Sequence, residues 1–140
     1  FPTGTNNTTL LQDLKADGKA TVPPGAMQLG LSKIDAKLAA GQPVIVGVDK
    51  GEATAKYHGH TQSDTKANKG RATDHWVVIH GKGTDANGNT FYVYYDPARY
   101  NTEGGTSLAN NRFIVNTGTE RIHDNNAYSS YQYSISDVRD

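Results

Sequence analysis

The sequence predicts an α+β domain, with N-terminal helices packed on an antiparallel sheet of about five strands. Two observations predict it. Apolar residues recur at helical spacing only within residues 10–41, and from residue 43 onward short β-branched and aromatic runs alternate with polar turns. Helices first and strands afterwards is the order of an α+β domain, in which strands that follow one another pair antiparallel.

Residues 1–9 (FPTGTNNTT) are polar, with an early proline and glycine, and read as an exposed arm. Leu10, Leu11 and Leu14 then recur at helical spacing after the cap candidates Thr8 and Thr9, with Gly18 as the stop. Residues 21–25 (TVPPG) break the chain, because two prolines cannot donate backbone hydrogen bonds. A second helix follows, capped by Ser32, with Leu31, Ile34 and Leu38 on one face and Gly41 at its end. Val44–Val48 (VIVGV) is an unbroken apolar run, as expected of a strand buried on both faces. Residues 49–73 are polar and aperiodic, the pattern of a functional loop or flap. His75–His80 and Phe91–Tyr95 read as strands joined through the turn signal Asn87-Gly88. Arg112–Asn116 and Tyr131–Ile135 complete the strands.

At 140 residues the chain has the length of one domain, and residues 1–140 are read as one. Lys+Arg and Asp+Glu both number 14, so no net charge attracts nucleic acid or an anionic membrane surface. A mean hydropathy of −0.66 is low for a packed domain. The 8 Tyr and 15 Gly nevertheless indicate sheets and turns rather than disorder. No apolar run reaches the length of a membrane span. The chain contains no cysteine, which excludes disulfides, thiolate metal sites and a cysteine nucleophile within these residues. It begins at Phe1 without a signal-like segment, and so reads as a processed or excised product. The abundance of Asn, Thr, Gly and Tyr leans towards an exported bacterial protein.

One pair of residues carries candidate chemistry. If His80 pairs with Phe91, successive steps bring Ile79 to Tyr92, Val78 to Val93, Val77 to Tyr94, Trp76 to Tyr95 and His75 to Asp96. Directly opposed residues share a face with Cβ atoms about 4.5–5.5 Å apart, within reach of a hydrogen bond between imidazole and carboxylate. Pro97 ends the ladder at that point. A carboxylate beside His75 fixes its tautomer and stabilises its imidazolium form. A polar pair at a hairpin end without chemistry is the alternative.

Four segments in this order resemble the C-terminal part of papain-like cysteine peptidases, in particular the bacteriocin-processing group. They are LAAGQPVIVGV (38–48), the polar loop after it, DHWVVIHGKG (74–83) and FYVYYDP (91–97). The resemblance spans about residues 34–113 and implies a papain-like fold. It also implies His75 as general base or imidazolium partner, Asp96 as its orienter, and a peptide or protein substrate with no cofactor. In that family the nucleophilic cysteine, preceded by a glutamine, lies on a helix well upstream. This chain has no cysteine, and neither Gln12 nor Gln28 has a matching neighbour. The nucleophile would therefore come from a removed upstream segment or a cysteine-bearing partner chain. Two alternatives stand beside this: a pseudo-enzyme that keeps the scaffold for binding, and convergent hairpin patterning. The setting implied by the first is an exported hydrolase or a toxin-like effector domain.

Other constellations are weaker. His58 and His60 would share a face if residues 58–60 were a strand, and could bind a transition metal with His75 or His80. A solvated loop explains them as well. Asp85, Asn87 and Asn89 have the spacing of a calcium loop, but Thr90 stands where that loop needs glycine, and a hairpin turn explains them better. Trp76 and Tyr94 are the candidates for lining a substrate groove, with sheet packing as the alternative. The lysines between Lys50 and Arg71 could steer an acidic substrate or simply solvate a loop.

Overall fold

The fold was established from a computed structural model, which describes residues 8–11, 13–14, 20–21, 23–52, 73, 75–97, 111–118, 120–124 and 131–139. Its elements are strands β1 (Thr8–Leu10), β2 (Asp13–Leu14) and β3 (Ala20–Thr21), then helix α1 (Ala26–Ala39). Strands β4 (Val44–Glu52), β5 (His75–Thr84), β6 (Thr90–Tyr95), β7 (Arg112–Asn116), β8 (Arg121–Asp124) and β9 (Tyr131–Arg139) follow. The main sheet runs β1-β9-β4-β5-β6-β7-β8, and a further pairing of β8 with β9 closes strands β4 to β9 into a six-stranded antiparallel barrel. Strands β8 and β9 meet at the His123–Ser134 pair, and β1 covers a further part of the same β9 edge, from Asp137 to Arg139.

Period-two alternation fills the barrel. Val44, Val46 and Val48 on β4, Val77 and Ile79 on β5, and Tyr92 and Tyr94 on β6 all turn inward. They meet Phe113, Ile122 and Ile135 in one core. Ile45, on the opposite face of β4, is half-buried, so the strand is covered on both sides but unequally. Two bulges supply the bending that closure requires. Ser136 is the extra residue between the pairs Gly47–Asp137 and Val48–Ile135, and His80 is the extra residue between Ile79–Tyr94 and Gly81–Val93.

The α+β, papain-like fold with N-terminal helices is thereby corrected to a closed, strand-dominated barrel with a single helix among the described residues. The described residues of the first predicted helix, Leu10, Leu11, Asp13 and Leu14, are not helical: Leu10 lies in β1 and Asp13 and Leu14 in β2. Thr8, Thr9 and Leu10 pair with Arg139, Val138 and Asp137, and the Leu11 amide donates to the Ser136 carbonyl at 2.9 Å. Leu11 is buried against α1 so closely that a Cβ on Gly30 would lie 2.8 Å from its Cδ1. Long-range pairing with a strand edge has overridden a local helical spacing, as tertiary context routinely does.

The second helix exists but starts earlier than Ser32. Its N-cap is Gly25, left-handed at φ 75°, and Ser32 lies within α1 with its hydroxyl donating to the Leu29 carbonyl at 2.8 Å. At the other end, Gly41 is also left-handed at φ 75°. Its amide bonds the Leu38 carbonyl at 3.0 Å while Gln42 bonds Lys37 at 2.9 Å, the double bond pattern of a Schellman cap. Met27 and Ile34 are buried on the inner face of the helix, and Leu31 and Leu38 are packed at the margin.

Four further expectations shift. Strand β4 continues through Glu52, so residues 49–52 are strand and not loop. The last strand extends to Arg139, and β8 was not foreseen. The β5–β6 register differs from the assumed one: Ile79 faces Tyr94, not Tyr92. The described residues contain no helix long and apolar enough to cross a membrane.

Candidate functional site

The end of the barrel where β5 begins and β6 stops holds a chain of hydrogen-bonded side chains. His75 is level with Val48 on β4, at the inner face of that end. Continuing the observed register past Tyr95 puts Asp96 level with Val77, so His75 is its diagonal neighbour rather than its directly opposed partner. The displacement from the assumed register is two residues, an even number, which leaves each side chain on the same face. The pair therefore still meets: His75 Nε2 lies 2.8 Å from Asp96 Oδ1.

Burial and bonding fix the carboxylate first and the imidazole second. The Asp96 side chain is 0% exposed and that of His75 is 27% exposed. Tyr133 of β9 donates its hydroxyl to Asp96 Oδ2 at 3.0 Å, and its ring lies 5.7 Å from the His75 ring. Tyr133 is held in turn, because its backbone N–H donates to Asp124 Oδ1 at 3.1 Å. Asp124 Oδ2 accepts the Tyr94 hydroxyl at 2.9 Å, and the Tyr94 ring stacks on Phe113 at 4.4 Å. Strands β5, β6, β8 and β9 all contribute to this chain.

A carboxylate can only accept, so the bond to Asp96 calls for the proton on Nε2. Nδ1 then carries the lone pair, and among the described residues it has no hydrogen-bond partner. The arrangement can take a proton at Nδ1, stabilise the resulting imidazolium beside Asp96, and return the proton to a leaving group. Among the described residues nothing else in the geometry singles out a nucleophile.

Of the other sequence candidates, Tyr94 takes part in this chain through Asp124. Tyr94 is 1% exposed inside the barrel, and Trp76 points to the opposite face of the sheet, where the Arg139 guanidinium lies 4.9 Å from its ring centre. Strand alternation sends the two side chains to different faces of the sheet. His58 and His60 lie outside the described residues. Among the described residues no cluster of three His, Cys, Asp or Glu could hold a metal ion. His80 sits exposed at its bulge. Asp85 Oδ1 accepts the Asn87 and Asn89 amides, each at 2.9 Å, and Gly88 is left-handed at φ 82°, so these residues build the hairpin turn.

Sequence reasoning missed Tyr133 and Asp124, and it missed a second polar constellation. At the other end of β5, a cavity of about 640 Å³ opens between α1, the β5–β6 turn and β7. Asp35 Oδ1 there accepts the Tyr92 hydroxyl at 2.7 Å and Lys82 Nζ at 3.0 Å. No sequence signal joins these three, because they come from a helix and two strands. Burial, followed by the hydrogen bond to Asp35 and its charge, pushes the Tyr92 phenol well above its usual range.

The raised phenol has a consequence for stability. The folded chain keeps a proton that the unfolded chain releases above a pH of about 10, so stability is full below that value and falls as pH rises through it. Tyr92→Phe is expected to remove up to about 1.4 kcal/mol per pH unit of this alkaline loss. Urea midpoints of both proteins from about pH 9 to 11 check it, and parallel profiles would refute it.

No protein-family model, no curated protein and no solved structure matches this chain.

Proposed function

We propose that this barrel supplies the proton-transfer half of a thiol-dependent hydrolase acting on peptide or other amide bonds. The bond between His75 Nε2 and the wholly buried Asp96 carries this reading, because it leaves Nδ1 as the working nitrogen of an oriented imidazole. The four peptidase-like sequence segments support it, independently of the fold. The thiol belongs to an upstream segment or a partner chain, since these 140 residues contain no cysteine.

In this scheme His75 Nδ1 takes the thiol proton and the thiolate adds to the carbonyl carbon. The C–N bond then breaks as His75 returns the proton to the leaving amine. Water then attacks the thioester carbonyl, giving a proton to Nδ1; the C–S bond breaks, the carboxylic acid leaves, and His75 returns the proton to the departing thiolate. The exported bacterial setting and the role as an effector domain belong to the same proposal and rest on composition and motif resemblance.

The test is acyl transfer from a p-nitrophenyl ester of a blocked amino acid to added 2-mercaptoethanol. The expected result is a rate component first-order in both chain and thiol. A rate no higher than that given by free imidazole at equal concentration would overturn the reading. In a longer natural product, a cysteine upstream of residue 1 would meet the chemical requirement. A full-length product and partners without one would not.

A second reading, a binding module without catalysis, is favoured by the cavity at the far end of β5, remote from His75. It expects the thiol-dependent component to be missing altogether.

A further inference from the structure

The cavity bounded by α1, the β5–β6 turn and β7 has the size of a small-molecule site, within the range of about 300–1,000 Å³. Lys82 lies seven positions from His75 on β5, roughly 20 Å away along the strand, so this site is separate from the histidine end. Three properties define what would fit.

Charge comes first. Lys82 and Asp35 neutralise each other at 3.0 Å, with side chains 44% and 42% exposed. Asp85 has one carboxylate oxygen committed to two backbone amides of the turn. The lining therefore carries a single net negative charge, on the exposed Asp85 of the turn, which disfavours anions and is too small to select a polycation.

Hydrogen-bonding capacity comes second. Both bonds to Asp35 end on Oδ1, which leaves Oδ2 as an acceptor, and Lys82 retains two ammonium protons as donors. Donor and acceptor thus lie side by side on a floor fixed by the Tyr92 hydroxyl. Groups that both donate and accept, as alcohols do, match that pairing best.

The third property is the wall. Leu31, Ile114 and Val115 line the cavity and are only partly buried, so aliphatic surface faces the same space as the polar floor. A ligand with hydroxyls on its edges and C–H groups on its faces satisfies both.

We propose that this cavity binds a neutral polyhydroxylated ligand, a mono- or disaccharide, through Asp35 and Lys82 with its C–H face against Leu31 and Val115.

The test uses the nitrogen-15-labelled chain titrated with D-glucose, N-acetyl-D-glucosamine and cellobiose, with spermidine and citrate as charged comparators. The expected result is saturable shifts, for at least one sugar, at the amides of Asp35, Lys82, Thr90 and Thr117, with a Kd in about the millimolar range. Asp35→Asn should weaken that binding by about tenfold or more. Because Asp35 also holds Tyr92, a second variant guards against a folding artefact. Thr117→Trp places bulk on an exposed turn residue at the rim, and should abolish binding without moving the Tm. No saturable shift with any of the three sugars would overturn the proposal. So would tighter binding of spermidine or citrate at the same amides, or sugar shifts that persist in Thr117→Trp. The histidine site is unaffected by any of these outcomes.

Discussion

His75→Ala is expected to remove the thiol-dependent acyl-transfer component, a fall of roughly 10²–10⁴-fold if the imidazole carries the proton. The barrel should remain folded, because the side chain is partly exposed and its hydrogen bond among the described residues is to Asp96, whose other oxygen is still held by Tyr133. Asp96→Asn should lose part of the same component, since an amide offers no charge to the imidazolium and, with its oxygen held by the Tyr133 hydroxyl, turns an N–H donor towards Nε2. The assay is the ester-to-thiol transfer described above, with circular dichroism to establish that both variants fold. A His75→Ala protein that is folded and as fast as wild type would remove His75 from the chemistry.

Asp124→Ala is expected to cost about 2–6 kcal/mol, from two orphaned donors at about 1–3 kcal/mol each. One is the buried Tyr94 hydroxyl and the other the Tyr133 backbone N–H. Against a typical total of about 5–15 kcal/mol this is a large fraction. Its location makes it more than a local defect. Asp124 belongs to β8, Tyr94 to β6 and Tyr133 to β9, so one carboxylate ties three strands where the barrel closes. The direct β8–β9 ladder contributes only the His123–Ser134 pair. Asp124→Asn, which keeps an acceptor oxygen, should cost less. Urea denaturation measures both, and a change below about 1 kcal/mol for Asp124→Ala would show that closure does not depend on this group.

How far the sequence disclosed the fold depended on the range of the interactions involved. The strand Arg112–Asn116, the turn at Gly88 and the helix end at Gly41 were legible because local chemistry decides them. The pairing of β1 with β9 was not, because Leu10, Leu11 and Leu14 have helical spacing and nothing local announces a strand edge more than a hundred residues away. Closure was hidden for the same reason: it rests on β8, a strand of four residues, and on bulges at His80 and Ser136.

The candidate site shows the same division. His75 and Asp96 could be brought together from sequence because face is conserved under an even register shift, even though the assumed register was wrong. Tyr133 could not, since its contact with Asp96 depends on how β9 crosses the barrel. The Asp35–Tyr92–Lys82 group was equally illegible, assembled as it is from α1, β6 and β5.

The most direct measurement is a long-range proton–nitrogen correlation spectrum of the His75 ring in the neutral state, for wild type and Asp96→Asn. If Asp96 orients His75 for proton transfer at Nδ1, wild type shows the Nε2–H tautomer, and Asp96→Asn shifts the population away from it. A wild-type ring protonated at Nδ1, or a tautomer ratio unchanged by Asp96→Asn, would contradict that role.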